Sequence, residues 1–218
     1  GFGLGAYNDA LLEQLADKGD GAYAFLDSEQ EAGRMLADAL SASANLIARD
    51  VKIQVEFNPR RVRRYRQLGY ENRQLDAEQF RDDSVDAGEI GSGQTVTALY
   101  ELDLQGSPDE PVGAVRVRCR NARTGQIEEI ERAVPGPLAG RPFEAMDARF
   151  RLAACAAEFA EILRGSPHAA GSRLEDVARI LRPVALELNL DNRIQELLRL
   201  TQTGLEPAFS EAAEAAGP

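Results

Sequence analysis

The chain has 218 residues, 44% of them hydrophobic and 6% aromatic, and a formal net charge of -11. That length holds one large domain or two small ones around a buried core. The acidic balance excludes duplex nucleic acid as an expected partner, because phosphate binding needs a basic face, and the surplus reads as a solubilising surface.

Residues 1–48 read as α/β. Gly1, Gly3 and Ala6 match G-x-G-x-x-A, the glycine pattern of a dinucleotide-binding turn. Such a site also needs a strand before the glycines and an acidic residue at the end of the next strand. Asp20 lies between two glycines, and Asp27 is followed at once by the helix cap Ser28, so neither fits. The glycines are better read as the exit of a sheet strand into a helix capped at Asn8 or Asp9. Leu11, Leu12 and Leu15 give that helix an apolar stripe up to Lys18, and Gly19 stops it. "GAYAFLD" has strand length. Ser28 and Glu31 form a capping box for a helix carrying Met35, Leu36, Ala39 and Leu40.

Residues 49–140 change character. In "VKIQVEF", Val51, Ile53, Val55 and Phe57 face one way and Lys52, Gln54 and Glu56 the other, which predicts a half-buried strand ended by Asn58-Pro59. A second extended run is expected around Tyr65–Tyr70. "QTVTALYELDL" alternates, with Val96, Ala98, Tyr100, Leu102 and Leu104 on one face. In "VGAVRVRCRN", Val115, Val117 and Cys119 share a face, and Arg116, Arg118 and Arg120 are expected to point out. A hairpin turn at Thr124-Gly125 leads into "IEEIERAV". The simplest architecture for this block is a small antiparallel β-sandwich.

Residues 141–204 read as helical. Met146, Phe150, Ala153, Ala157, Ala160 and Leu163 predict one face of a long helix ending at Gly165. Ser172 and Glu175 form a second capping box before Leu174, Val177, Ala178 and Leu181, and Pro183 should break or kink that segment. Asp191 can cap a last helix carrying Ile194, Leu197, Leu198 and Thr201. Residues 205–218 read as a polar, Ala-rich tail, expected to be disordered.

The candidate chemistry is sparse. "RRVRRYR" holds Arg60, Arg61, Arg63, Arg64 and Arg66 around Tyr65. It could suggest a phosphate or RNA patch, but reads better as a charged edge that answers the acidic surplus. Asp82, Asp83, Asp86 and Glu89 cluster in "RDDSVDAGEIGSG". Their spacing is not an EF-hand, and a solvated loop is the ordinary reading; a calcium-binding or carboxylate-based catalytic loop is the alternative. His168 is the only histidine, so a Ser–His or Cys–His mechanism has one possible base and no visible nucleophile motif. Cys119 and Cys155 make no metal framework and are expected as two buried thiols rather than a disulfide. No catalytic, cofactor-binding or metal residue is assigned.

Two stretches carry a specific likeness. "GFGLGAYNDALLEQLADKGDGAYAFLDSEQEA" resembles the C-terminal end of a von Willebrand factor type A domain. "DVKIQVEFNP", "YRQLGYENRQL" and "DDSVDAGEIGSGQTVTALYEL" resemble the domain of unknown function that follows it in bacterial YfbK-type proteins. The resemblance implies an α+β chain: the remnant of a doubly wound A domain, an antiparallel β domain, then C-terminal helices. It implies a non-catalytic protein-interaction or adhesion-type module with a protein partner. In that family a D-x-S-x-S loop, a Thr and an Asp hold a divalent cation, Mg or Ca. No D-x-S-x-S occurs in these residues, so no cofactor is expected within them. Location in the cell envelope or periplasm, with membrane attachment through a lipid anchor upstream, is implied by the family alone. A few A-domain elements bury little apolar surface, so residues 1–45 are expected to pack on the β block or on a partner.

Overall fold

The structure, a computed structural model, describes residues 9–18, 29, 32–33, 35–37, 45–69, 74–189 and 191–205. The opening glycines, the "GAYAFLD" strand, the Ser28 cap and the tail lie outside them. The expected first helix is present as α1, Asp9–Lys18. Leu11 and Leu15 on it are exposed.

The chain is α+β and divides into two compact units that alternate along the sequence. One comprises residues 1–58, 72–97 and 112–134, the other residues 59–71, 98–111 and 135–218. Six strands follow α1: β1 (Leu46–Phe57), β2 (Val62–Leu68), β3 (Gly88–Gly91), β4 (Leu99–Leu104), β5 (Gly113–Asn121) and β6 (Ile127–Val134). β3, β1, β5 and β6 lie in that order in a four-stranded antiparallel sheet in the first unit, and β2 and β4 pair antiparallel in the second.

β1 runs from Leu46 to Phe57 through one irregular residue. Asp50 has φ 50°, a left-handed conformation that Asp tolerates better than most side chains. The register against β5 passes from Arg49↔Arg120 to Lys52↔Arg118. Three steps on β1 therefore oppose two on β5, the mark of a β-bulge. Beyond the bulge the predicted alternation holds: Ile53 pairs with Val117, and Gln54 with Arg116. Gly113 lets β5 close on β1, since a Cβ there would sit 2.2 Å from the Glu56 carbonyl oxygen. The expected β5–β6 hairpin forms. Asn121 accepts from Arg123 and Thr124 amides through Oδ1, and Gly125 takes φ 70°.

The second expected strand starts earlier than predicted, at Val62. Val96 lies before β4 and is exposed. Asn58-Pro59 ends β1 as expected, and β2 then pairs with β4.

The helices of the second unit are α2 (Ala148–Leu163), α3 (Leu174–Glu187) and α4 (Asn192–Thr203). Asp147 and Asp191 cap α2 and α4, accepting from Arg149 and Arg193 amides at 2.8 and 2.9 Å. Ser172 does not cap α3. Its N-cap is Arg173, with no side-chain bond. Pro183 sits inside α3 without ending it, because Val184 beyond it is fully buried and holds the last turn in place.

The buried stripe of α2 is rotated from the predicted one. Phe150 and Leu163 are exposed. Cys155 forms the core with Val177 and Leu181, and Leu152, Phe159, Ile162, Ile180, Leu197 and Leu198 pack around them. Both stripes have helical spacing, and along the middle of the helix the side chains at 152, 155, 159 and 162 are larger than the alanines at 153, 157 and 160 and take the interior, leaving Phe150 and Leu163 outside at its two ends. Thr201 is fully buried, its hydroxyl donating to the Leu197 carbonyl at 2.8 Å.

Candidate functional site

The richest concentration of charge in the first unit is on the β5 arginine face of the four-stranded sheet. Lys52, Gln54 and Glu56 of β1 stand beside Arg118, Arg116 and Ala114 of β5, which pair in turn with Glu129, Glu131 and Ala133 of β6. The sequence predicts that this face points to solvent. Instead Lys52 is 3% exposed, while Ile53 on the opposite face is 44% exposed.

The reason is the segment between β2 and β3. A 3₁₀ turn at Ala77–Arg81, with Phe80 buried, packs against β1. Lys52 Nζ donates to the carbonyls of Gln79 at 3.3 Å and Asp82 at 2.5 Å. An ammonium can be buried when hydrogen bonds replace its water, and the lysine stem covers apolar surface.

The arginines are then closed by carboxylates. Arg116 bridges Glu56 at 2.5 Å and Glu131 at 2.7 Å. Arg118 bridges Asp83 at 2.8 Å and Glu129 at 3.5 Å, and Glu129 also accepts from Arg81 at 2.7 Å. Arg120 reaches the bulge residue Asp50 at 3.2 Å. Hydrogen bonding to Glu56 and Glu131, and to Asp83, raises the pKa of Arg116 and Arg118. The Arg118 bond holds Asp83 below the usual carboxylate range, and that of Arg81 does the same for Glu129. A shallow depression lined by Asp50, Lys52, Asp83, Arg118, Cys119, Arg120 and Ile127 lies among these groups.

The acidic loop is therefore not a converging ligand set. Asp82 accepts from the Ser84 amide and hydroxyl at 2.9 and 2.6 Å, which lowers its pKa. Asp83 turns to Arg118, and Glu89 to Arg49 at 3.6 Å. Among the described residues no three His, Cys, Asp or Glu side chains form a group that could hold a metal ion. Three of the four carboxylates of the calcium alternative, Asp82, Asp83 and Glu89, are thus held by separate partners. His168 lies exposed in a 3₁₀ turn, its amide 3.4 Å from the Ser166 hydroxyl.

Both cysteines are free thiols. Cys155 is buried as expected, and Cys119 is only half-buried, because the sheet face it shares with Val117 is partly open. Desolvation, reinforced by Glu128, pushes Cys119 up, and desolvation does the same to Cys155. Protonated thiols are poor nucleophiles.

In the second unit the arginine run is likewise committed to its own chain. Arg63 and Arg64 both bond Asp103, at 2.6 and 3.0 Å. Arg61 is buried, donating through Nη1 to the Gln105 carbonyl at 2.6 Å. Arg66 spans Glu101 at 2.9 Å and Glu161 at 2.6 Å, which raises its pKa. Glu161, 5% exposed on α2, also accepts from the Ser166 hydroxyl at 2.8 Å and pairs with Arg164. Its carboxyl is held below the usual range, first by the Arg66 bond.

The sequence that builds these elements belongs to a recognisable class. Residues 42–113, which include β1 to β4, match the family described as "Uncharacterized protein YfbK, C-terminal". The chain carries the C-terminal region of a YfbK-type protein. It is 36% identical over 187 residues to the uncharacterized protein YfbK of Escherichia coli (strain K12), a match covering 77% of this chain and 32% of that protein. The chain thus spans about a third of the length of the curated relative it matches. No solved structure matches it.

The lysine cage and the bulge escape sequence reasoning, because the bonds to Gln79 and Asp82 span 27 and 30 residues. The Arg118–Glu129 and Arg116–Glu131 pairs were within reach. Once the hairpin turn is placed, period-two counting brings R-x-R-x-R of β5 against E-E-x-E of β6.

Proposed function

We propose that this chain is a non-catalytic protein-interaction module, with residues 1–48 closing a von Willebrand factor type A domain and the following sheet receiving its movements. What supports the reading is the pairing of the charged face. Lys52, Arg116, Arg118 and Arg120 each close on a carbonyl or carboxylate of their own unit, an arrangement that fixes a surface rather than activating a base. The YfbK-type match covers residues 42–113, with β1 and β3 of this sheet among them, and the A-domain end is read from the resemblance of the residues before it.

In this reading the divalent-cation site, the protein partner and a lipid anchor to the cell envelope belong to the longer protein. Among the described residues no helix is long and apolar enough to cross a membrane. The last helix of the A domain would run directly into β1, so a shift caused by metal or partner would pull on Leu46–Asp50.

The test is hydrogen exchange on the full-length protein with and without Mg or Ca. The expected result is altered amide protection across Leu46–Phe57 when the cation is added. Unchanged protection there, with the cation bound, overturns the coupling.

A further inference from the structure

We propose that β6 is a homodimerisation edge. Two copies of this chain would join antiparallel about a two-fold axis through Ile130, making one eight-stranded sheet. The inference stands on the geometry of β6 and is independent of the function proposed above.

Among the described residues β6 is the last strand in the order β3-β1-β5-β6. It offers eight residues, against four for the opposite edge β3, and every residue from Ile127 to Ala133 is exposed. Long open edges pair with other strands unless something blocks them. Here there is no proline, and the charges select a register rather than forbid pairing.

The hairpin fixes which backbone groups are available. Asn121 donates to the Gln126 carbonyl at 2.9 Å, making 121 and 126 a hydrogen-bonded pair. The antiparallel pattern alternates, so Glu128, Ile130 and Arg132 bond inward to Cys119, Val117 and Val115, their register partners. The amides and carbonyls of Ile127, Glu129, Glu131 and Ala133 then point to the open edge.

Two such edges are self-complementary when centred on Ile130. Glu129 and Ile127 of one copy exchange backbone bonds with Glu131 and Ala133 of the other. Ile130 meets Ile130 in a close non-hydrogen-bonded pair. Glu128 meets Arg132, and by symmetry the contact occurs twice. The row Ile53–Val117–Ile130 then continues into the second copy, covering Ile130, which is 48% exposed. Centring on Glu128, Glu129, Glu131 or Arg132 would instead set that charge against itself.

On the opposite face Glu129 and Glu131 come together across the edge. Glu129 is already held by Arg81 and Arg118, and Glu131 by Arg116, so both carboxylates arrive with counter-charges. Glu128 is steadied by a 2.9 Å bond from Asn121. Arg132 donates to the open-edge carbonyl of Glu131 at 2.9 Å, and in the dimer it releases that carbonyl to the Glu129 amide of the second copy and turns to Glu128.

Sedimentation equilibrium of the 218-residue chain tests this with a charge-reversal cycle. Glu128→Arg and Arg132→Glu each turn two opposite-charge contacts into two like-charge contacts, and each should weaken the dimer by about tenfold or more. The double variant restores opposite charges and should recover association. Circular dichroism and thermal melts establish that each variant is folded. A wild-type chain that stays monomeric at every concentration overturns the proposal. So do single reversals that leave the association constant unchanged, and a folded double variant that does not recover it.

Discussion

The helical core and the four-stranded sheet bury opposite kinds of side chain. Around Cys155, Val177 and Leu181 the interior is apolar, with Leu181 and Val184 at 0% exposure. On the sheet the burial at Lys52 and Ile53 is inverted: the lysine is enclosed and the isoleucine is open. The helical arrangement gains from removing apolar area from water. The sheet arrangement gains little from its charges as such, because ion pairs near the surface are worth little. Its gain lies in fixing geometry: the 3₁₀ turn and loop are held at one position over β1 by Lys52 and Arg118. The contrast teaches that alternation tells which residues share a face, while the covering segment decides which face is inside.

The largest expected effect is in the helical core. Leu181→Ala should cost about 2–5 kcal/mol, because the cavity sits where neighbours cannot collapse fully. Urea unfolding monitored by hydrogen exchange should show it in α2, α3 and α4. A loss under 1 kcal/mol, on the order expected of a surface site, would deny that Leu181 anchors this core.

Glu161 sharpens the comparison, as the one buried carboxylate among the described residues of the helical unit. Its pKa is depressed in the fold. It therefore adds stability at pH values above the ordinary glutamate range, and this is lost as pH falls through the lowered folded value. Glu161→Gln should cost on the order of 1–3 kcal/mol at neutral pH. It should also flatten the acid side of the stability profile below about pH 4, as read from thermal melts across pH. A profile with unchanged acid dependence would show that the Arg66 and Ser166 bonds do not carry it.

The smallest effects come as a matched pair on adjacent residues of β1. Lys52→Met keeps the stem but removes the ammonium from the Gln79 and Asp82 carbonyls, which retain the Asp82 and Val85 amides as donors, costing roughly 0.5–1.5 kcal/mol and speeding exchange in the 77–86 segment. Ile53→Ser, on the open face, should stay within about 0.5 kcal/mol. If the isoleucine variant proved the more damaging, the inverted burial of this strand would be wrong.

Much of the secondary structure was legible in local chemistry. Asp191 sits where the sequence expects a cap, and Asp147 caps α2 in the same way. The Thr124-Gly125 turn and the alternation of β1 and β5 follow from residue type and period. The α2 stripe differs from the expected one because two helical faces carry apolar residues, and contacts with α3 and α4 choose the face of Leu152, Cys155, Phe159 and Ile162. The Ser172 box failed because its spacing is common and nothing local forces the chain to use it.

The sequence by itself determined the α+β class, the YfbK-type kinship, and which side chains share each face of the strands. Those properties rest on short-range periodicity and on residue order, which survive without a fold. Only the tertiary structure decided that Lys52 lies inside and Ile53 outside, that Arg118 answers Asp83, and that Glu161 draws in Arg66 from 95 residues away. Burial and ion pairing depend on what the chain brings back over a face, and that return is set by contacts far apart in sequence.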